Sequence, residues 1–116
     1  MQFLQEVVMK KFLLFFAVFL LTSKAFADDI LIFSASWCPP CTKLKEFLKS
    51  GYYEELKESG HVVTIVDIDL DPELKKKWNI TSVPTTIVFK ENKEEKDRFI
   101  GYGKTIWKTW IEKNIR

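Results

Sequence analysis

Residues 34–41, Ser34-Ala35-Ser36-Trp37-Cys38-Pro39-Pro40-Cys41, join two segments of different periodicity, and the reading of the whole chain turns on that junction. Ahead of it, Ile30 to Phe33 is a short apolar run between Asp28-Asp29 and Ser34, the pattern of a strand buried on both faces. Behind it, Cys41, Leu44, Phe47 and Leu48 recur at spacings of three and four, while Lys43, Lys45, Glu46 and Lys49 take the opposite face. That is a helix, expected to close at Ser50-Gly51. Cys38 then stands at a helix N-terminus, where unpaired amides and the helix dipole favour a negative sulfur and lower its pKa. Cys41 lies one turn further in, on the face of Leu44, close enough to attack a mixed disulfide at Cys38 yet less exposed. Pro39 and Pro40 fall in the first turn, where a missing amide costs little and a fixed φ stiffens the loop. They also remove two amides that would otherwise solvate a thiolate.

A C-x-x-C pair can also staple a turn or hold a metal. Closing so short a ring contributes well under the roughly 3 kcal/mol estimated for a loop of about 15 residues, so a merely structural bridge gains little. Structural zinc needs four ligands, and the chain adds only a remote His61 to its two cysteines. No metal is therefore expected, copper(I) being the one ion that two thiolates alone would suit. The remaining use, disulfide exchange, fits both the position of the pair and the segment that precedes the domain.

That segment is an address. Phe12 to Leu21 are ten consecutive apolar residues, preceded by Lys10-Lys11 and followed by Ala25-Phe26-Ala27, the three parts of a secretory signal with cleavage after Ala27. A membrane-spanning helix needs about 20 apolar residues, so an uncleaved inner-membrane anchor is the weaker alternative. Met9 just before the two lysines would start a more compact leader than Met1. Export implies a periplasmic setting in which a disulfide persists. Residues 1–27 are thus a signal peptide and 28–116 one small domain. From Asp28 onward 15 basic and 15 acidic residues balance, which leaves no field to hold nucleic acid.

The rest of the domain alternates in the same way. After a short helical piece, Tyr52 to Glu58, His61 to Leu70 opens as Val-Val-Thr-Ile-Val, apolar on both faces, as a central strand does. Asp71 is a helix N-cap, Pro72 suits the first helical position, and Leu74 with Trp78 makes an i, i+4 pair. Thr85 to Phe89 and Lys96 to Ile100 read as a hairpin across a polar turn. Trp107, Trp110, Ile111 and Ile115 make one apolar stripe of a terminal helix. The order β-α-β-α-β-β-α predicts an α/β fold: a four-stranded mixed sheet with helices on both faces.

The WCPPC motif after a short strand, with Ser82-Val83-Pro84-Thr85 opening a later one, resembles the thioredoxin family over about Ile30 to Arg116. The resemblance implies the minimal thioredoxin-like core. It implies that Pro84 is a cis-proline lying against the cysteine pair, that the Val83 backbone pairs with an extended substrate segment, and that Trp37 shields the pair and contacts substrate. Gly101 resembles a family glycine beside the active-site loops. The family's buried acid and its companion lysine fall here on Ile32 and Ile65, so Cys41 should be harder to deprotonate. Asp67, Asp69 and Glu46 are the acids that could stand in.

The function expected is thiol-disulfide exchange with protein substrates through Cys38 and Cys41, with no cofactor beyond the pair itself. The motif is similar to those of exported reductases of this fold, which favours reduction. Two cysteines alone cannot renew their own electrons, so an upstream redox partner, such as a membrane electron donor, is implied. A peptide-binding module with a permanent bridge and a copper(I) carrier are the alternatives from other classes. A monomer is expected.

Overall fold

The computed structural model describes residues 29–115; the leader lies outside them. Its first strand, β1 (Asp29–Ser34), buries Ile30, Ile32 and Phe33 almost completely. Cys38 is the N-cap of α1 (Pro39–Phe47), held in extended backbone, with Pro39 and Pro40 in the first turn. The helix does not stop at Ser50-Gly51. It widens into a π turn over Leu48–Tyr52, where Gly51 takes φ +129°, and continues as α2 (Tyr53–Glu58). A side chain would strain that backbone, so the glycine permits a bend where periodicity alone suggested an end.

The chain returns through β2 (Val62–Asp67) and enters α3 (Pro72–Lys77), whose N-cap Asp71 accepts the Leu74 amide at 3.2 Å. The hairpin β3 (Thr85–Phe89) and β4 (Glu95–Ile100) and the helix α4 (Lys104–Asn114) complete the domain. The four strands run in the order β2-β1-β3-β4. β1 pairs in parallel with β2, Ile32 facing Ile65, and antiparallel with β3, Ile32 facing Thr86. The sheet is therefore mixed, as expected of this element order. No helix among the described residues is long and apolar enough to cross a membrane.

The position of β2 differs from the expected central one: among the described residues it forms an edge of the sheet, leaving Val62 54% and Ile65 41% exposed. A run apolar on both faces shows that both faces can be covered. Whether both edges are paired depends on which other strands reach it, and no local pattern records that.

Each face of the sheet carries its own cluster. On one, α1, α2 and α4 pack Leu44, Leu48, Leu56, Trp107 and Ile111 against Ile30, Ile32 and Val88. Trp107 is fully buried and donates its indole N–H to Thr86 Oγ1 at 2.9 Å, which satisfies its one polar atom. Tyr52 stacks on Phe47, and its hydroxyl is pushed up to about 12, chiefly by burial and then by Glu112 and Glu55. On the other face Phe33, Ala35, Val66, Ile68, Ile80, Ile87 and Phe89 surround the two cysteines, with Leu74 and Trp78 of the α3 region over them.

Candidate functional site

The site forms where β1 gives way to α1, at the C-terminal end of the parallel pair. Cys38 and Cys41 are joined in a disulfide with their Cα atoms 5.2 Å apart. Both are buried, at 4% and 0% exposure, so the less accessible sulfur is Cys41, as its helical position requires. Cys38 Sγ accepts the Cys41 amide at 3.2 Å and is the side-chain cap of its own helix. That amide and the helix dipole point at the sulfur that would bear negative charge on reduction.

The second wall is the loop before β3. Cys38 Sγ lies 3.6 Å from the Val83 carbonyl oxygen, and the Val83–Pro84 peptide bond is cis. The loop is fixed from both sides. Thr85 Oγ1 donates to the Ser82 carbonyl at 2.7 Å, and the Gly101 amide donates to the Pro84 carbonyl at 2.7 Å. Gly101 has φ +95°, while a Cβ added there would meet nothing within 4 Å. Its requirement is conformational and is not one of space.

Trp37 forms the rim. It is 65% exposed, yet its indole N–H donates to Asp69 Oδ2 at 2.8 Å, and Asp67 Oδ1 accepts the Asp69 amide at 2.8 Å. Two of the three acids that could serve Cys41 are therefore engaged in this loop, Asp69 orienting the tryptophan and Asp67 orienting Asp69, while Glu46 lies exposed on α1. Nothing in the sequence pattern announced the pairing, since 32 residues separate its partners. Between Trp37, Ile68, Ile80, Val83 and Lys75 runs a cleft of about 330 Å³. Thus Trp37, Cys38, Pro39, Pro40, Cys41, Val83 and Pro84 come together at one end of the sheet.

Other residues fall elsewhere or carry no charge to the site. Ile32 and Ile65 are direct cross-strand partners, so an apolar pair occupies the positions that correspond by resemblance to the family's buried acid and lysine. The Ser34 hydroxyl is buried and has no hydrogen-bond partner. His61 precedes β2 at the opposite end of the sheet, its amide bonded to the Leu56 carbonyl. Among the described residues no group of three or more His, Cys, Asp or Glu is arranged to hold a metal ion.

Comparison with known proteins gives concordant results. The family model described as Thioredoxin matches residues 16–113, beginning inside the apolar run Phe12 to Leu21. The chain is 35% identical to a thioredoxin of Rickettsia bellii over 106 residues, covering 81% of this chain and 95% of that protein. It is 33% identical to thioredoxin 1 of Plasmodium falciparum, covering 81% and 94%. The solution structure of the oxidised Plasmodium falciparum thioredoxin superposes with a TM-score of 0.65 at 32% identity, over 86% of this chain and 92% of that one. The X-ray structure of Fasciola hepatica thioredoxin gives 0.68 at 27% identity, over 82% and 88%.

Proposed function

This chain belongs to the thioredoxin family and is a thiol-disulfide oxidoreductase, and from that premise we propose that it is an exported reductant of protein disulfides. The observation that carries the reading is the Cys38–Cys41 bridge at a helix N-terminus, with the Cys41 amide on Cys38 Sγ and the Val83 carbonyl beside it. In the reduced protein the Cys38 thiolate attacks one sulfur of a client disulfide and expels the other as a thiolate, forming a mixed disulfide. The Cys41 thiolate then attacks Cys38 Sγ, releases the second client sulfur and closes the Cys38–Cys41 bridge. Two electrons pass to the client. The oxidised pair must regain them from an upstream dithiol, a membrane electron donor being the partner suited to an exported protein.

Val83 and Pro84 position the client. The Val83 backbone pairs with an extended segment of the client and holds its sulfur over Cys38 while Trp37 covers it, a reading supported by the 3.6 Å approach of the Val83 carbonyl to Cys38 Sγ. Residues 1–27 direct export to the periplasm and are removed after Ala27, leaving a domain of residues 28–116. Neither a metal nor an organic cofactor takes part.

The test is the equilibrium reduction potential of the pair, titrated against glutathione and dithiothreitol. Dithiol proteins of this chemistry span about −270 to −120 mV. A value near −250 mV or lower is expected, and one above about −150 mV would make the protein a disulfide donor. Cys41→Ser should accumulate mixed disulfides with client proteins, and Cys38→Ser should abolish turnover.

A further inference from the structure

We propose that the cleft beside Trp37 ends in a carboxylate-binding corner, built from Lys75, Thr81 and Ser82, that selects clients carrying an acidic residue close to the reacting cysteine. The proposal deepens the reading of the Val83–Pro84 loop as the part that positions the client, and it rests on that reading. Among the described residues the cleft is walled by apolar Trp37, Ile68, Ile80 and Val83 and by those three polar side chains. Lys75 is the single charge in that lining. Its ammonium only donates hydrogen bonds, and both hydroxyls have a proton to donate. The polar end of the cleft therefore matches an acceptor that bears negative charge.

Local sequence builds this corner. Helix α3 closes at Trp78, and Asn79 turns left-handed at φ +53°. The Asn79 amide donates to the Lys76 carbonyl at 3.1 Å and the Ile80 amide to the Lys75 carbonyl at 3.0 Å, the two bonds of a Schellman cap. Leu74 and Ile80 join one apolar cluster, the contact that accompanies such a cap. Thr81 and Ser82 thus leave directly from the turn that holds the Lys75 backbone. Their far end is fixed by Thr85 Oγ1, which donates to the Ser82 carbonyl.

The surrounding charges leave Lys75 available. Acids precede it in the chain, but each accepts from a donor of this protein: Asp69 from the Trp37 indole, Asp67 from the Asp69 amide and Asp71 from the Leu74 amide. None of the three lines the cleft. Among the described residues no carboxylate pairs with the Lys75 ammonium. Of the neighbouring lysines, Lys77 lies over the Trp78 ring at 5.4 Å, and Lys76 is outside the lining. A client carboxylate entering the cleft meets a cation that no acid of this chain already holds. A client lysine or arginine in the same place meets a like charge.

The test uses the reduced full chain and peptides of one sequence, each with a single cysteine carried as a thiopyridyl disulfide, so that attack by Cys38 releases thiopyridone and is followed by absorbance. Glu, Gln or Lys is placed in turn at each position flanking the cysteine. Where the side chain reaches the corner, Glu should react up to about five-fold faster than Gln at low salt, the scale of a partly exposed ion pair, and Lys should react more slowly than Gln. Added salt should shrink the ratio. Lys75→Gln should bring the Glu and Gln peptides to one rate, Lys75→Arg should keep their order, and Lys76→Gln should behave as the wild type. Ratios taken within each variant are insensitive to a general loss of activity or of folded protein. Equal Glu and Gln rates at every position in the wild type, or a Glu preference that survives Lys75→Gln, would overturn the proposal. Failure of the client-positioning reading has a different signature: the peptides would then react no faster than the thiopyridyl disulfide of N-acetylcysteine amide, and the corner would fall with it. A reduction potential in the range of disulfide donors overturns the reductant reading alone, since the Glu preference is read in the attack of Cys38 whichever way electrons flow in the cell.

Discussion

On one face of the sheet Ile32, Leu44, Val88, Trp107 and Ile111 close an apolar cluster under three helices; on the other, Phe33, Ala35, Ile68, Ile80 and Ile87 surround a disulfide. The first cluster keeps its polar atoms satisfied or protonated: Trp107 bonds Thr86, and burial keeps Tyr52 neutral far above physiological pH. The second opens at its end into the Trp37 cleft. Helix α1 belongs to both, sending Cys41 into one cluster and Leu44 into the other. The difference shows where the stability of the redox element comes from. A bridge across three residues constrains the unfolded chain little, so α1 must be held by the apolar face whether the sulfurs are joined or free. The pair can then change oxidation state without unfolding its own support.

The harshest way to break this division is Trp107→Ala. Removing a fully buried tryptophan should cost about 3–5 kcal/mol, a large share of the 5–15 kcal/mol typical of a whole domain. Denaturant unfolding of the oxidised variant would measure it. Within the folded population the reduction potential should remain that of the wild type, because Trp107 belongs to the cluster on the other face of the sheet and not to the one that surrounds the sulfurs. A large shift in potential at retained fold would show that the faces are coupled.

Asp69→Ala sharpens the comparison from the other side. It releases the Trp37 indole from its 2.8 Å bond on the exposed rim. Since that bond competes with water, stability should fall by about 1 kcal/mol or less. Exchange with a protein disulfide should slow several-fold, while exchange with a small disulfide such as oxidised glutathione should change little. The two rates, measured by stopped-flow tryptophan fluorescence, separate positioning of the client from reactivity of the sulfur. Equal slowing of both would show that Asp69 acts on Cys38 itself.

The same two faces explain what the sequence disclosed. The order of elements was legible because each is written in local periodicity, and the cysteine pair because a C-x-x-C at a strand-to-helix junction has few uses. Val83 and Pro84 were legible only through likeness to a family; no spacing rule sets Val83 3.6 Å from Cys38 Sγ. Three features depended on contacts between distant segments. The Trp37–Asp69 bond crosses from one loop to another. The edge position of β2 depends on which strands pair with it. The π turn at Leu48–Tyr52 depends on Gly51 bending a helix that the packing of Leu48 and Tyr52 then continues.

The smallest effect belongs to an ion pair that braces the chemical face from outside. Arg98 of β4 donates to both Glu95 oxygens, at 2.8 and 2.6 Å, and to the Trp78 carbonyl at 3.1 Å. Trp78 packs edge-on against Phe89, so the pair ties the hairpin to the end of α3. The Arg98 hydrogen bonds hold the Glu95 carboxyl below its ordinary value of 4.5. A carboxyl depressed in the folded state contributes stability that is fully present above its unfolded pKa and is lost as pH falls through the folded one. Glu95→Gln should therefore lower stability at neutral pH by no more than about 1 kcal/mol, as befits a partly exposed pair. The gap between variant and wild type should close as pH drops below 4.5 and should narrow with added salt. Urea unfolding at a series of pH values measures it. A gap that persists unchanged at acid pH would mean that Glu95 acts by packing and that the charge contributes nothing. The reduction potential of Cys38 and Cys41 should be the same in the variant, because the brace sits on β4 and α3 and leaves the helix dipole and the Cys41 amide where they are.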